Sequence, residues 1–544
     1  MGTKLRDTNK RVWSSVVLVT VLTTGVAGCT QPKDEEQSGD KAVVTVSNYD
    51  RGNIPAAEGT VEENRWTKWI NENSPVAAKF VPVLRAEAVQ KLNVMFASGS
   101  APDIVNDYDT GFRDSLYQQK QLLPLDDYLQ YAPEYEKLLE EYPQLRQVGT
   151  KSDGKLYEIG KINEPHLQSV MMIRTDWLKK LNLEVPRTTE EFHNVLKAFV
   201  EQDPDGNGKK DTYGANISYT SGGMIDSMFG AGGWAIEGDK IVRSWDNTLE
   251  SLRFKKMMFD EGLIDKDYLA DKNGSKAKQD YLNGKVGVYL EPAINTWFET
   301  TVTNLKTIRK VVPEAEIEPM MQPESPLGQF THHVTNPIQM TTVINAAAKN
   351  PQAAMEYINF ILQPDTALTL MKGTEGEHWK KREDGTIEVI DLDKNMKEVD
   401  WAKDYEMVYS LPQNENLTSV SAFDVNIPEQ KAGLEMMQKA DQFLLDYPDA
   451  KYPGLTHYEH MPVLPSDLAV INTNVSKETS DILVKGIIRG ADYTPEQAIA
   501  DAKAAWDKGG GKQIEEYMNT WYQENKDTAF LGDDVLETVR SQLK

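Results

Sequence analysis

From residue 43 onward the apolar positions of this chain switch repeatedly between a two-residue and a 3.6-residue period. Val43 to Ser47 is rich in β-branched residues and predicts a strand. Glu62 to Asn71 sets Trp66, Trp69 and Ile70 at helical spacing, and Asn73-Ser74-Pro75 ends the run. Ala77 to Leu84 returns to strand character, Ala86 to Ala97 is helical with Val89, Leu92, Val94 and Phe96 apolar, and Pro102 to Val105 begins another short strand. Strands alternating with helices of this length predict an α/β fold built on doubly wound, mainly parallel sheets. Such a sheet has its ligand crevice beyond the carboxyl ends of the strands, to which the loops Asn48 to Asn53 and Ser98 to Asp103 are assigned.

The pattern restarts after a helical, Tyr- and Glu-rich stretch from Leu125 to Leu145, so a second lobe is expected. Leu156 to Ile162 and Val170 to Arg174 predict strands, and Thr188 with Glu191 forms a capping box that opens a helix through Val200. Thr248 to Asp260 is amphipathic, Val286 to Leu290 is an apolar strand, and Ala293 onward is helical. Gln339 to Ile344 is strand-like, two helices broken at Gln363-Pro364 follow, and Thr494 to Gln523 is two helices split by Gly509-Gly510-Gly511. No fixed short repeat is present, which argues against solenoids and propellers.

The N-terminus carries a different signal. Lys4, Arg6, Lys10 and Arg11 precede an apolar run from Val12 to Val26, too short and too rich in Thr and Ser for a membrane-spanning helix. The run closes on Val26-Ala27-Gly28-Cys29, similar to a bacterial lipobox: residues 1–28 form a signal peptide, and Cys29, the sole cysteine, takes the lipid. Two acyl chains, palmitate among them, give stable anchoring where one is marginal. Residues 29–41 are polar and make a flexible tether. The formal charge of −25 disfavours a grip on nucleic acid, which needs clustered Lys and Arg.

The mature chain resembles an extracellular solute-binding protein of family 1, the sugar-binding type, in its larger Gram-positive lipoprotein subgroup. The resemblance is carried by Ala97-Ser98-Gly99-Ser100-Ala101-Pro102-Asp103-Ile104, by Leu252 to Ile264, and by Tyr281-Leu282-Asn283-Gly284-Lys285-Val286-Gly287-Val288. Asn350-Pro351-Gln352-Ala353-Ala354 and Gly373-Thr374-Glu375-Gly376 add to it. It implies a two-lobe, type II-like periplasmic-binding-protein fold with hinge crossings. The N-terminal lobe is expected from 42–165 plus about 325–400, and the C-terminal lobe from 166–324 plus about 401–544. It also implies a monomer, lipid-anchored on the extracytoplasmic face of the cell membrane, that binds a carbohydrate between its lobes and works with ABC transporter permease subunits.

Within that resemblance Glu291-Pro292-Ala293-Ile294-Asn295-Thr296-Trp297 matches the family's Pro- and Trp-containing turn, which makes Trp297 the first ligand candidate, with Glu291 beside it. Trp234 follows Gly230-Ala231-Gly232-Gly233, where backbone comes close to a partner, ligand or helix. Asn48, Tyr49 and Arg51 follow the first strand and offer hydrogen bonds to hydroxyls. Glu375 and Trp379 belong to a mixed loop in which His378 is expected at the surface.

Asp203-Pro204-Asp205-Gly206-Asn207-Gly208-Lys209-Lys210-Asp211 sets oxygen ligands at alternating positions with glycine at the fourth and sixth, much as an EF-hand loop does. Asp203, Asp205, Asn207 and Asp211 would give side-chain oxygens to Ca²⁺, and Lys209 its carbonyl. The twelfth position is Gly214 where an EF-hand has glutamate. The ion's expected role is structural, and alginate-binding relatives carry a similar loop. That link makes a uronate-containing oligosaccharide one ligand expectation, with Arg51 or Arg174 as its basic partner.

The competing classes are a lipid-anchored polysaccharide hydrolase or lyase and an oligopeptide-binding lipoprotein. No G-x-S-x-G, H-E-x-x-H or Walker motif occurs, and lipid consumes the one thiol. The adjacent His332 and His333 would face opposite sides of a strand, and His457-Tyr458-Glu459-His460 is expected to be an exposed loop. The sequence therefore points to a binder and not an enzyme.

Overall fold

A computed structural model describes residues 41–544 except 219, 295 and 384. The signal peptide, Cys29 and most of the tether lie outside the described residues. Among the described residues no helix is long and apolar enough to cross a membrane.

Two sheets organise the chain. The first has five strands in the order Ala77–Leu84, Val43–Asp50, Ile104–Asn106, Ile338–Ile344, Glu158–Ile162. Val43–Asp50 runs parallel to both neighbours, with Val43 opposite Ala77 and Val46 opposite Ile104. The second sheet has the order Ile317–Met320, Val170–Arg174, Val286–Glu291, Tyr213–Ala215. The α/β layering is as expected, but the strand directions are mixed rather than mainly parallel. Ile338–Ile344 pairs antiparallel with both neighbours, and in the second sheet only Tyr213–Ala215 and Val286–Glu291 are parallel. The cause is connectivity: Ile338–Ile344 enters the first sheet from its crossing end, so it must run against the strands that leave there.

Local sequence explains the elements. Thr188 Oγ1 accepts the Glu191 N–H at 3.2 Å while the Glu191 carboxylate accepts the Thr188 N–H at 3.3 Å, closing the capping box on Thr189–Glu201. A cap of this kind contributes on the order of 1 kcal/mol. Phe192, Val195, Leu196 and Phe199 then face Met171, Ile173 and Val288 of the second sheet. Val44, Val46, Ile104, Ile159 and Ile344 bury one face of the first sheet, and Tyr49, Val83, Val105 and Val343 bury the other, as a sheet covered on both sides requires. Gly510, at φ +98°, separates the helices Pro495–Lys508 and Gly511–Asn525.

The chain passes between the sheets through residues 163–169 and 321–337, and these segments pair with each other. The Asn163 N–H donates to the Pro337 carbonyl at 3.1 Å, Gln168 to His333 at 2.8 Å, and Thr335 to His166 at 2.9 Å. The two crossings thus form one antiparallel ribbon.

Candidate functional site

The ribbon meets the first sheet at the carboxyl ends of its parallel strands, where the side chains change from apolar to polar. The loop at residues 98–103, assigned to this end, lies at the other: it precedes Ile104–Asn106, and Asp103 binds Thr45 near the start of the first strand. The residues at the carboxyl end of Ile104–Asn106 are Asp107 and Tyr108.

Tyr49 is buried and stacks on Tyr108 with ring centroids 6.1 Å apart, and its hydroxyl accepts the Tyr108 N–H at 3.1 Å. Burial pushes the Tyr49 phenol up, and the Asp107 charge adds to this. Asn48 is buried too, and its Oδ1 has no hydrogen-bond partner among the described residues. Arg51 reaches across 353 residues to Asp404, with Nε to Oδ2 at 2.5 Å and Nη2 to Oδ1 at 2.9 Å. Arg51 and Asp404 border a cavity of about 340 Å³ whose wall also includes Tyr108, Lys161, Trp401, Glu406 and Tyr409. Lys161, paired in register with Gln339, has no hydrogen-bond or ion-pair partner among the described residues. Burial lowers its pKa, against the pull of Glu406, Glu459 and Asp404. Burial raises the Glu406 carboxyl to about 7, although Lys161 and two N–H groups favour its charge.

On the ribbon side of Lys161 the polar groups continue. Asn163 Nδ2 donates to the Asn336 carbonyl at 2.8 Å and to Gln339 Oε1 at 3.4 Å. Glu459 accepts from Asn336 Nδ2, from Gln339 Nε2 at 3.4 Å and from the Tyr458 hydroxyl at 3.0 Å. The Tyr458 ring is 72% exposed. His457 and His460 are held neutral by burial, at about 4 and about 3, and His460 Nε2 sits 2.8 Å from Asn336 Oδ1. His457 is buried, so the expected exposed loop is exposed only at Tyr458. His332 is likewise buried, with Nε2 facing the Met320 carbonyl at 3.0 Å.

Of the residues singled out by sequence, Arg51 lines this cavity, Tyr49 stacks behind its wall on Tyr108, and Asn48 is buried in the strand away from it. Trp297 lies in the hydrophobic core at 4% exposure, edge-on to His166 at 6.3 Å. Glu291 ends its strand buried, and burial lifts its carboxyl to about 7. Trp234 packs in a hairpin against Trp506 at 6.0 Å, with the Arg243 guanidinium 5.0 Å over its ring. Trp379 is buried and donates to the Gly373 carbonyl at 2.8 Å, while Glu375 is exposed. His378, expected at the surface, is buried at 1%, because its ring packs against Trp66 and its Nδ1 accepts the Thr374 N–H at 2.9 Å. With Nδ1 an acceptor, Nε2 carries the proton toward Glu398, so the grouping Glu377–His378–Glu398 lacks the free imidazole lone pair a metal needs. Sequence reasoning missed Tyr108, Lys161, Trp401, Asp404, Glu406 and Tyr458. Only Tyr108 carried a signal, its place after a short apolar strand.

The loop at residues 203–211 folds its oxygens inward. Asp203 sits at φ +49°, its Oδ2 accepts the Gly208 N–H at 3.0 Å, and its Oδ1 is buried without a hydrogen-bond donor among the described residues. Asn207 Nδ2 donates to Asp205 at 2.6 Å and to Asp211 at 3.0 Å. Burial, with Asp203 next, raises the Asp205 carboxyl, while the Gly208 N–H, with Asp205 next, lowers that of Asp203. Gly214 has no room for a twelfth-position glutamate: a Cβ there would lie 2.8 Å from the Leu196 carbonyl oxygen.

Comparison with known proteins follows the same lines. The family model described as bacterial extracellular solute-binding protein matches residues 66–368. Lipoprotein LipO of Bacillus subtilis is 25% identical over 549 residues, covering 95% of this chain and 99% of LipO. The polygalacturonan/rhamnogalacturonan-binding protein YtcQ of the same organism is 24% identical over 80% of this chain and 83% of its own. The structure of an EF-hand mutant of the S. pneumoniae ABC-transporter substrate-binding protein FusA, in complex with fructo-nystose, superposes with a TM-score of 0.56 at 19% identity over 89% of this chain and 99% of FusA.

Proposed function

This chain belongs to the bacterial extracellular solute-binding proteins, and from that premise we propose that it captures an oligosaccharide for an ABC importer and releases it unchanged to the permease subunits. Lipid on Cys29 holds the monomer at the extracytoplasmic face of the cell membrane, and the lobes divide near residues 165, 325 and 400. The observation that carries the reading is the cavity beside the crossing ribbon, where charged and amide groups adjoin aromatic rings. Sugar hydroxyls donate and accept at once, and their CH faces stack on rings such as Tyr108 and Trp401. The exposed ring of Tyr458 offers a second platform. A ligand gripped by both lobes favours their closed arrangement only by its differential affinity for that state.

Calcium in the loop at residues 203–211 is part of the proposal. The inward carboxylates and the unpartnered Asp203 Oδ1 suit a hard cation; when bound, it would be held by Asp203, Asp205, Asn207, Asp211 and the Lys209 carbonyl and would brace the turn.

The test is thermal unfolding of protein lacking residues 1–29 against a panel of mono- and oligosaccharides. A ligand at 100 times its Kd adds about 2.7 kcal/mol of stability. New reducing ends during incubation would overturn the binder in favour of a hydrolase.

A further inference from the structure

The class of saccharide follows from the charges on the cavity, on the condition that the cavity is the capture site. Three basic groups are available: Arg51, Lys161 and Lys403. Arg51 is paired with Asp404 through two parallel hydrogen bonds, from Nε and Nη2, so its charge is already offset. Lys403 lies 3.7 Å from Asp400. Arg174, the other cation suited to a uronate, is buried at the opposite end of its strand, where it grips Asp176 at 2.8 and 2.6 Å. That leaves Lys161, and the charges that act on it most are those of acids: Glu406, then Glu459, then Asp404.

Glu406 accepts the N–H groups of Val408, at 3.1 Å, and Tyr409, at 2.5 Å, both on Oε1. Its Oε2 has no protein donor among the described residues. A Lys161 ammonium and a Glu406 oxygen, neither with a partner among the described residues, therefore line the same cavity. A ligand carboxylate entering here finds no unpaired guanidinium and has two further acids close by, and like charges at short range in a desolvated site repel strongly. A neutral polyol finds what it needs, since one hydroxyl can accept from Lys161 Nζ and donate to Glu406 Oε2. We propose that the cavity selects uncharged oligosaccharides and rejects uronates, with Lys161 and Glu406 as the specificity-determining pair.

Isothermal titration of the mature chain compares fructo- and malto-oligosaccharides with oligogalacturonates and alginate oligosaccharides of equal length. Binding confined to the neutral set is expected. Glu406→Gln, whose amide oxygen still accepts both N–H groups, should weaken that binding about tenfold, and Lys161→Met by at least as much. The double variant Glu406→Gln/Glu459→Gln should admit an oligogalacturonate that the natural chain rejects. Tighter binding of a uronate than of any neutral sugar by the natural chain would overturn this inference and leave capture intact. Absence of binding by both classes would overturn capture itself, and this inference with it.

Discussion

Replacing His166 by glutamine should weaken the protein in a way that depends on pH. His166 lies on the first crossing segment, with Nδ1 2.6 Å from Asp441 on the helix Pro428–Asp446 and Nε2 3.4 Å from Glu164. Glu164 in turn accepts from Ser419, from its N–H at 2.6 Å and its hydroxyl at 2.8 Å. Burial alone would lower the His166 pKa, but hydrogen bonds to Asp441 and Glu164 raise it from 6.5 to about 10. A rise of this size corresponds to about 5 kcal/mol. Burial raises the Asp441 carboxyl and so returns part of that. Removing one partner of a buried pair typically costs about 3–5 kcal/mol, and the variant should fall in that range at pH 7.

The sign is fixed by the direction of the shift. A histidine that binds its proton more tightly in the folded state contributes fully below the unfolded pKa of 6.5 and loses that contribution as pH rises through about 10. Between pH 7 and pH 9 the stability difference between the natural protein and His166→Gln should shrink by about 3 kcal/mol, at about 1.4 kcal/mol per pH unit. Urea unfolding followed by tryptophan fluorescence at pH 7, 8 and 9 measures it. The difference, unlike either curve alone, cancels the opposing titrations of Lys161 and Lys372. A difference that stays constant across this range would refute a charged imidazole in the ribbon.

Three further outcomes are expected. Trp297→Ala should lower the urea midpoint by an amount worth about 3–5 kcal/mol, because the indole lies in the core; lost sugar affinity at unchanged stability would assign it to the ligand instead. Gly287→Ala should cost about 1–3 kcal/mol in the same assay, since its Cβ would meet the Phe199 ring at 2.1 Å. Calcium should raise the melting temperature of the natural chain and leave that of Asp203→Asn/Asp205→Asn unmoved, and equal shifts in both would place the ion elsewhere.

The elements that sequence made legible are those whose signal is local. The capping box at Thr188 and Glu191, the apolar run from Val286 to Leu290 and the breaks at Gln363-Pro364 and Gly510 each act within a few residues, and each is where it was expected. Tyr213–Ala215 and Ile317–Met320 are too short to show a period, and Pro319 interrupts the second. The site was half legible for a related reason. Asn48 and Tyr49 lie at the end of the first strand and Arg51 follows it, but Asp404 and Glu406 arrive from more than 350 residues away, and no local pattern encodes that return. Tryptophans misled because ring size advertises burial energy and says nothing of which partner supplies it: Trp234 found Arg243 and Trp506, and Trp297 found the core.

The polar groups of the cavity wall continue from Lys161 into the crossings between the sheets, which bears on how capture reaches the permease. Glu459 now holds Asn336 and Gln339, one on the second crossing and one at the start of the strand it feeds. A sugar hydroxyl that donates to Glu459 competes with those amides for its oxygens, so occupancy and ribbon geometry draw on one set of acceptors. Asn336→Ala removes that competition. On the proposed reading it should bind sugar at least as tightly as the natural chain while showing a smaller ligand-induced fall in radius of gyration by solution X-ray scattering. An unchanged contraction would mean that closure is driven elsewhere, by direct bridging of the lobes through rings such as Tyr458.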